Sequence, residues 1–143
     1  MRDLLDTSVW FTLAHPGHPF HQHALSYWKN DAALELAFAW PTALGLLRLL
    51  TNARATGGEP LTSLQAWEVF EAFLERPGVS VHPEPAGIGG LLREYAEHYS
   101  LRAGHWTDAY LAAFARAGGY RLVTFDRDFI NHSVFELLLL GNK

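Results

Sequence analysis

Four carboxylates in this chain fall where they could do chemistry together. Asp6 closes the apolar run Leu4-Leu5, and Asp126 closes Leu122-Val123-Thr124-Phe125, with Asp128 two residues on. Asp108 stands in Trp106-Thr107-Asp108, opening the helix expected before the second run. Apolar β-formers that run into acid read as buried strands with carboxylates at their carboxyl ends. In an open α/β sheet that edge is where ligands bind. Each acid also has a plainer role: Asp6 as a helix N-cap, Asp108 as a first-turn charge favoured by the helix dipole, Asp126 and Asp128 as turn residues. Facing one another, however, they would raise one another's pKa unless something positive lay between them. Lys occurs only at 29 and 143, far from these positions. A hard divalent cation fits, Mg2+ with Mn2+ as substitute, because it takes one or two carboxylates together with substrate phosphate oxygens. The chemistry it implies is metal-assisted hydrolysis of a phosphodiester.

The elements that must position these acids follow from the pattern. A strand over 2–6 leads into a helix over 7–14, stopped by His15-Pro16-Gly17, and a second helix covers 20–31. A strand over 34–40 precedes a helix over 42–52, with Pro41 suited to its first position. Thr62 and Gln65 form a capping box for a fourth helix, and 78–81 is a short strand. Helices over 88–99 and 107–117, the latter ended by Gly118-Gly119, bracket the approach to the strand over 121–125. The apolar run over 134–140 reads as a last strand or extended tail, buried at a sheet edge or a subunit interface. Strands alternating with helices predict parallel βαβ units covered on both faces.

Composition narrows the function. The 143 residues fit one domain over 1–143, with 49% apolar and 18% charged residues. The absence of Cys excludes disulfides, thiolate nucleophiles and zinc fingers. A net charge of −4 argues against a generic phosphate-coating binder, yet an acidic cluster awaiting cations supplies part of that charge itself. Neither Lys lies in a P-loop context, and neither is placed to serve the phosphoryl group of an aspartyl-phosphate enzyme. No apolar run approaches the ~20 residues of a membrane span, and no charged-then-apolar leader opens the chain, so a cytoplasmic location is expected.

The blocks Leu4-Leu5-Asp6-Thr7-Ser8-Val9-Trp10, Thr107-Asp108-Ala109-Tyr110-Leu111-Ala112-Ala113 and Val123-Thr124-Phe125-Asp126-Arg127-Asp128-Phe129 resemble, in order and separation, the three motifs of PIN-domain ribonucleases. The likeness is greatest to the VapC toxins of bacterial toxin–antitoxin pairs, and the stretch from Pro41 to Asn52 resembles one VapC branch. It implies a PIN-like three-layer α/β/α sandwich around a central, mostly parallel sheet of four to five strands. It implies as well a Mg2+-dependent endoribonuclease acting on RNA, a homodimer, and a VapB-like antitoxin that covers the site. Asp6, Asp108 and Asp126 carry over as metal ligands, Asp128 as an outer ligand or fourth acid, and Ser8 and Thr124 as hydroxyls bonding the acids. One departure stands out. Many PIN domains carry a Glu on the third helix where this chain has Gly45. An alternative is therefore a PIN-like module that binds RNA or a partner with weak or no catalysis.

Other residues are placed by the same reasoning. Arg48 and Asn52 share the helix face of Gly45 and Arg127 adjoins the acids, so these three are candidate RNA contacts, with a solvated surface as the plainer role. His15, His18, His21 and His23 cluster around Pro and Gly and read as a polar loop rather than a metal site. His105 lies three residues before Asp108 and is a candidate substrate contact. The Trp residues at helical spacing read as core, with Trp10 and Phe11 alternatively lining a dimer or antitoxin groove.

Overall fold

The computed structural model describes residues 1–131 and 136–141. Among them, strands β1 (Arg2–Leu5), β2 (Glu35–Phe38), β3 (Val79–Val81), β4 (Arg121–Thr124) and β5 (Glu136–Leu139) form one sheet in the order β3-β2-β1-β4-β5. Every pairing is parallel. Helices α1 (Thr7–Ala14), α2 (His21–Asn30), α3 (Trp40–Leu50), α4 (Ser63–Leu74), α5 (Ile88–His98) and α6 (Trp106–Gly118) connect the strands, with short 3-10 turns at Ala103–His105 and Arg127–Asn131. This is the expected α/β architecture. The helices stop short of the length and apolarity needed to cross a membrane, among the described residues.

Alternation along the short strands divides the core into two. Leu4, Ala37 and Leu122 face α5 and α6, where they meet Tyr95, Ala109, Ala112 and Phe114. Their neighbours Leu5, Phe38 and Val123 face α1 to α4 and meet Val9, Trp10, Leu46 and Phe70. Strands buried on both faces are continuously apolar, which is why the runs near Asp6 and Asp126 are legible at all. Trp10 stacks on Phe38 with ring centroids 3.8 Å apart. Trp10 is 0% and Phe11 6% exposed, which corrects the groove-lining alternative: both are core.

Caps fix the helix starts. Gln65 donates its backbone N–H to Thr62 Oγ1 at 3.1 Å and accepts from the Thr62 N–H at 2.9 Å, the predicted capping box. The third helix begins earlier than its sequence pattern predicts, at Trp40, so Pro41 is its second residue rather than its first. The Thr42 hydroxyl explains the shift, accepting from the Ala39 N–H at 3.1 Å and donating to the Ala39 carbonyl at 2.7 Å. Gly119 caps α6 at φ 71°, a left-handed conformation suited to glycine. The apolar tail is the edge strand β5, with Leu137 packed on one face of the sheet and Leu138 and Leu140 on the other. The part of that run at Val134 and Phe135 lies outside the described residues.

Candidate active site

In this strand order β1 and β4 are neighbours, and the chain winds outward from them in both directions. Their carboxyl ends form the topological switch point of the sheet. Leu5 is paired with Val123, so the residues that follow, Asp6 and Thr124, emerge side by side. The Asp6 backbone N–H donates to the Val123 carbonyl at 2.9 Å, which holds the first acid against β4.

Local bonding then aims the carboxylates. Asp6 Oδ1 accepts from the Thr7 N–H at 2.8 Å, capping α1. Its other oxygen, Oδ2, accepts from Thr124 Oγ1 at 2.8 Å and from Ser8 Oγ at 3.3 Å. Thr124 Oγ1 in turn accepts from the Asp126 N–H at 2.9 Å, and Asp126 Oδ1 accepts from the Asp128 N–H at 2.8 Å. The plainer capping and turn roles are thus filled by the same atoms that gather the acids. Asp108 arrives half-buried in the first turn of α6.

Electrostatics tie the four together. The Asp108 carboxyl is pushed up to about 6, by burial first, then by the charges of Asp6 and Asp126, with Asp128 adding and His105 opposing. Asp6 is raised by burial and by Asp126, against the lowering effect of its bonds from Thr124, Thr7 and Ser8. Like charges close enough to perturb one another mark a place where a cation relieves strain. The donor set is hard carboxylate oxygen, which suits Mg2+ or Mn2+ rather than a thiophilic metal. Among the described residues no three carboxylate or imidazole groups are close enough to enclose an ion by themselves. An ion here would take one or two carboxylates with water in its other positions, the usual habit of Mg2+.

Arg127 is exposed beside Asp126 at the start of its 3-10 turn, and Asp128 is exposed in the same turn. Arg48 instead borders a shallow cavity between α3 and α4 with Thr51, Ser63 and Trp67. Asn52 accepts from the Ala55 N–H at 2.9 Å, so its side-chain oxygen shapes the turn after α3. His105 accepts from the Arg102 N–H at 3.3 Å and stands near enough to lower the Asp108 pKa. His18 accepts from the Phe20 N–H, and His21 Nδ1 donates to the Thr12 carbonyl at 2.8 Å, local bonds that order the loop between α1 and α2.

Sequence reasoning passed over a buried ion pair at the opposite end of the same strands. Asp3, 0% exposed, accepts from Arg121 Nε at 2.9 Å and Nη2 at 2.8 Å, from the Tyr27 hydroxyl at 2.5 Å and from the Ala33 N–H at 3.0 Å. The available signal was an acid and an arginine each opening an apolar run, three residues before Asp6 and Thr124 respectively.

A model of the PIN domain matches residues 4–134. The chain belongs to the PIN-domain family. Ribonuclease VapC41 of Mycobacterium tuberculosis is 39% identical to it over 143 residues, covering 96% of this chain and 98% of the relative. Ribonuclease VapC48 of the same organism is 32% identical over 132 residues, covering 90% of each. Solved structures share the fold at lower identity. VapC20 of Mycobacterium tuberculosis, described as a toxin that cleaves the sarcin-ricin loop, superposes with a TM-score of 0.68 at 20% identity, covering 90% of this chain and 93% of its own. VapBC2 of Rickettsia felis, solved bound to a DNA fragment from its promoter, gives 0.67 at 16% identity over 99% and 100% of the two chains.

This PIN domain closes the third-helix position in a specific way. A Cβ added at Gly45 would meet Thr7 Oγ1 at 2.5 Å and Cγ2 at 2.8 Å. Gly45 therefore lets α3 pack against the residue that follows Asp6, and the space a Glu stem would need is filled by Thr7.

Proposed function

We propose that this PIN domain is a Mg2+-dependent endoribonuclease, with Mn2+ able to substitute, and the toxin of a VapBC-type pair. The observation that carries the reading is the knot in which Thr124 donates to Asp6 and accepts from Asp126, with Asp108 in the same electrostatic field. The ribonuclease names of the two VapC relatives support the substrate class. Solved neighbours that are VapBC complexes support a VapB-like antitoxin as partner.

In this reading one or two of Asp6, Asp126 and Asp108 would bind the ion directly, the remaining carboxylates acting through its waters and Asp128 from the outer side. These residues would hold a divalent cation, which would supply a polarised water and offset charge on the leaving oxygen. The chain's own residues do the positioning. Thr124 and Ser8 hold Asp6 in one rotamer, and the Asp128 N–H does the same for Asp126. Arg127, exposed beside the acids, would meet a phosphate of the RNA in this reading.

The test is cleavage of RNA by purified protein with Mg2+ or Mn2+, its loss in EDTA, and its loss in Asp6→Asn and Asp126→Asn with the fold intact. Cleavage that persists in EDTA would overturn the reading. A homodimer is part of the proposal, supported by the exposed Leu44, Leu64 and Trp67 on α3 and α4. Light scattering that gives a monomer mass overturns that part.

The close packing of Gly45 on Thr7 favours a second reading, a module that binds RNA or a partner without cutting. Titration with Mn2+ separates the two, since a module of that kind shows no Mn2+ affinity and binds RNA equally well as Asp6→Asn.

A further inference from the structure

We propose that a cavity at the carboxyl edge of the sheet seats one unpaired RNA base, next to the phosphate held at the acids. This rests on the nuclease reading for the placement of that phosphate. The cavity holds about 540 Å3, within the range of small-ligand sites, and is walled by Trp40, Pro41, His82, Glu84, Tyr110 and Phe114.

Its position is set by the fold. Trp40 opens α3 directly after β2, and His82 and Glu84 follow β3, so the cavity lies at the carboxyl ends of the strands beyond β1. β2 is the neighbour of β1, and adjacent strands lie about 4.8 Å apart. A strand of RNA whose phosphate meets the acids beyond β1 and β4 therefore has a neighbouring base within reach of this cavity.

Its chemistry suits the base and not the backbone. Trp40 leaves 51% of its surface exposed, although its ring also meets Phe70 at 5.9 Å, so the indole is held while a face remains to stack on. Among the described residues the cavity is lined by no Lys or Arg, and a phosphate would be repelled by Glu84. Glu84 Oε1 accepts from the Tyr110 hydroxyl at 2.8 Å, which fixes the carboxylate and leaves Oε2 to accept from a base. Burial and that bond push the Tyr110 phenol up to about 12, so it stays a donor. An unpaired base offers this carboxylate an N–H donor, either an exocyclic amino group or the N3–H of uracil. His82 Nδ1 is bonded to the Tyr120 hydroxyl at 2.8 Å, which fixes the ring and turns Nε2 away from that contact.

The experiment is binding of fluorescein-labelled single-stranded RNA, one of mixed sequence and one of uridine only, measured by anisotropy in EDTA so that cleavage plays no part. Trp40→Ala should weaken binding of the mixed RNA about tenfold, the scale of one lost base stack, and Trp40→Phe should restore most of it. Glu84→Gln should weaken binding of both RNAs, since a neutral amide oxygen accepts a base N–H less strongly than a carboxylate does. With Mg2+ present, the larger part of each loss should fall in KM rather than kcat. RNA binding that is unchanged in Trp40→Ala and Glu84→Gln overturns the proposal. So does a Trp40→Ala protein that binds RNA normally but has lost affinity for a protein partner. A chain that binds RNA through Trp40 yet cleaves nothing with Mg2+ or Mn2+ supports the base site and overturns the nuclease reading alone.

Discussion

Thr124 donates its hydroxyl to Asp6 Oδ2 at 2.8 Å, joining residues 118 apart in sequence. Thr124 Oγ1 itself accepts the Asp126 backbone N–H, so one hydroxyl ties together the two residues that carry the acids. Thr124→Val keeps the shape and removes both bonds. RNA cleavage should fall by about ten- to a hundredfold, the usual cost of losing a group that orients a metal ligand. Single-turnover rates measured beside a thermal melt check this, and a Val variant with parental rates would show that the hydroxyl orients nothing of consequence.

Asp108 titrates at about 6 in the folded chain against 3.8 as its ordinary value, from burial first and then from Asp6 and Asp126. A folded pKa above the unfolded one means that the native state binds more protons across that interval. The stabilisation is complete below about 3.8 and is lost as pH rises through about 6. Cation-free protein should therefore lose stability between those values, and added Mn2+ should raise Tm most above about pH 6, where the carboxylates are charged. Cleavage should run the other way and decline as pH drops through about 6. Asp108→Asn should flatten the Tm profile over that interval. An unchanged profile in that variant would refute the assignment.

Asp3 and Arg121 form the buried pair that ties the amino ends of β1 and β4, with side chains 0% and 15% exposed. Arg121 also donates to the Asp31 carbonyl at 2.8 Å and so anchors the end of α2. Arg121→Met leaves the buried Asp3 with Tyr27 and Ala33 as its remaining donors among the described residues. Unfolding in urea should show a loss of about 3–5 kcal/mol. A loss below about 1 kcal/mol would mean that the pair is screened in solution like an exposed one.

Gly45→Ala should destabilise by about 1–3 kcal/mol, because its Cβ runs into Thr7 at 2.5 Å. Thr7→Ala in the same chain should recover part of that loss, since the two contacts closer than 3.0 Å are to the Thr7 Oγ1 and Cγ2 atoms. A double-mutant cycle measures the coupling, and strict additivity would rule out the contact.

Much of this protein could be read along the chain because the relevant signals are local. Apolar runs ending in Asp6 and Asp126, the Thr62–Gln65 box and the glycine stop at Gly119 depend on neighbours a few residues away. Their bonding partners are almost dictated by spacing. The Thr42 hydroxyl shows the margin of such reading, since its two bonds to Ala39 start the helix at Trp40 rather than Pro41. Tertiary structure decided what period and spacing do not encode, namely which strands are neighbours. The order β3-β2-β1-β4-β5 brings Thr124 to Asp6 and Arg121 to Asp3 in the same register, one pair at each end of β1. It also turns Trp10 and Phe11 inward and sets Gly45 on Thr7. Contacts across a hundred residues follow from strand order and helix packing, and a one-dimensional pattern is the same whichever neighbour each strand takes.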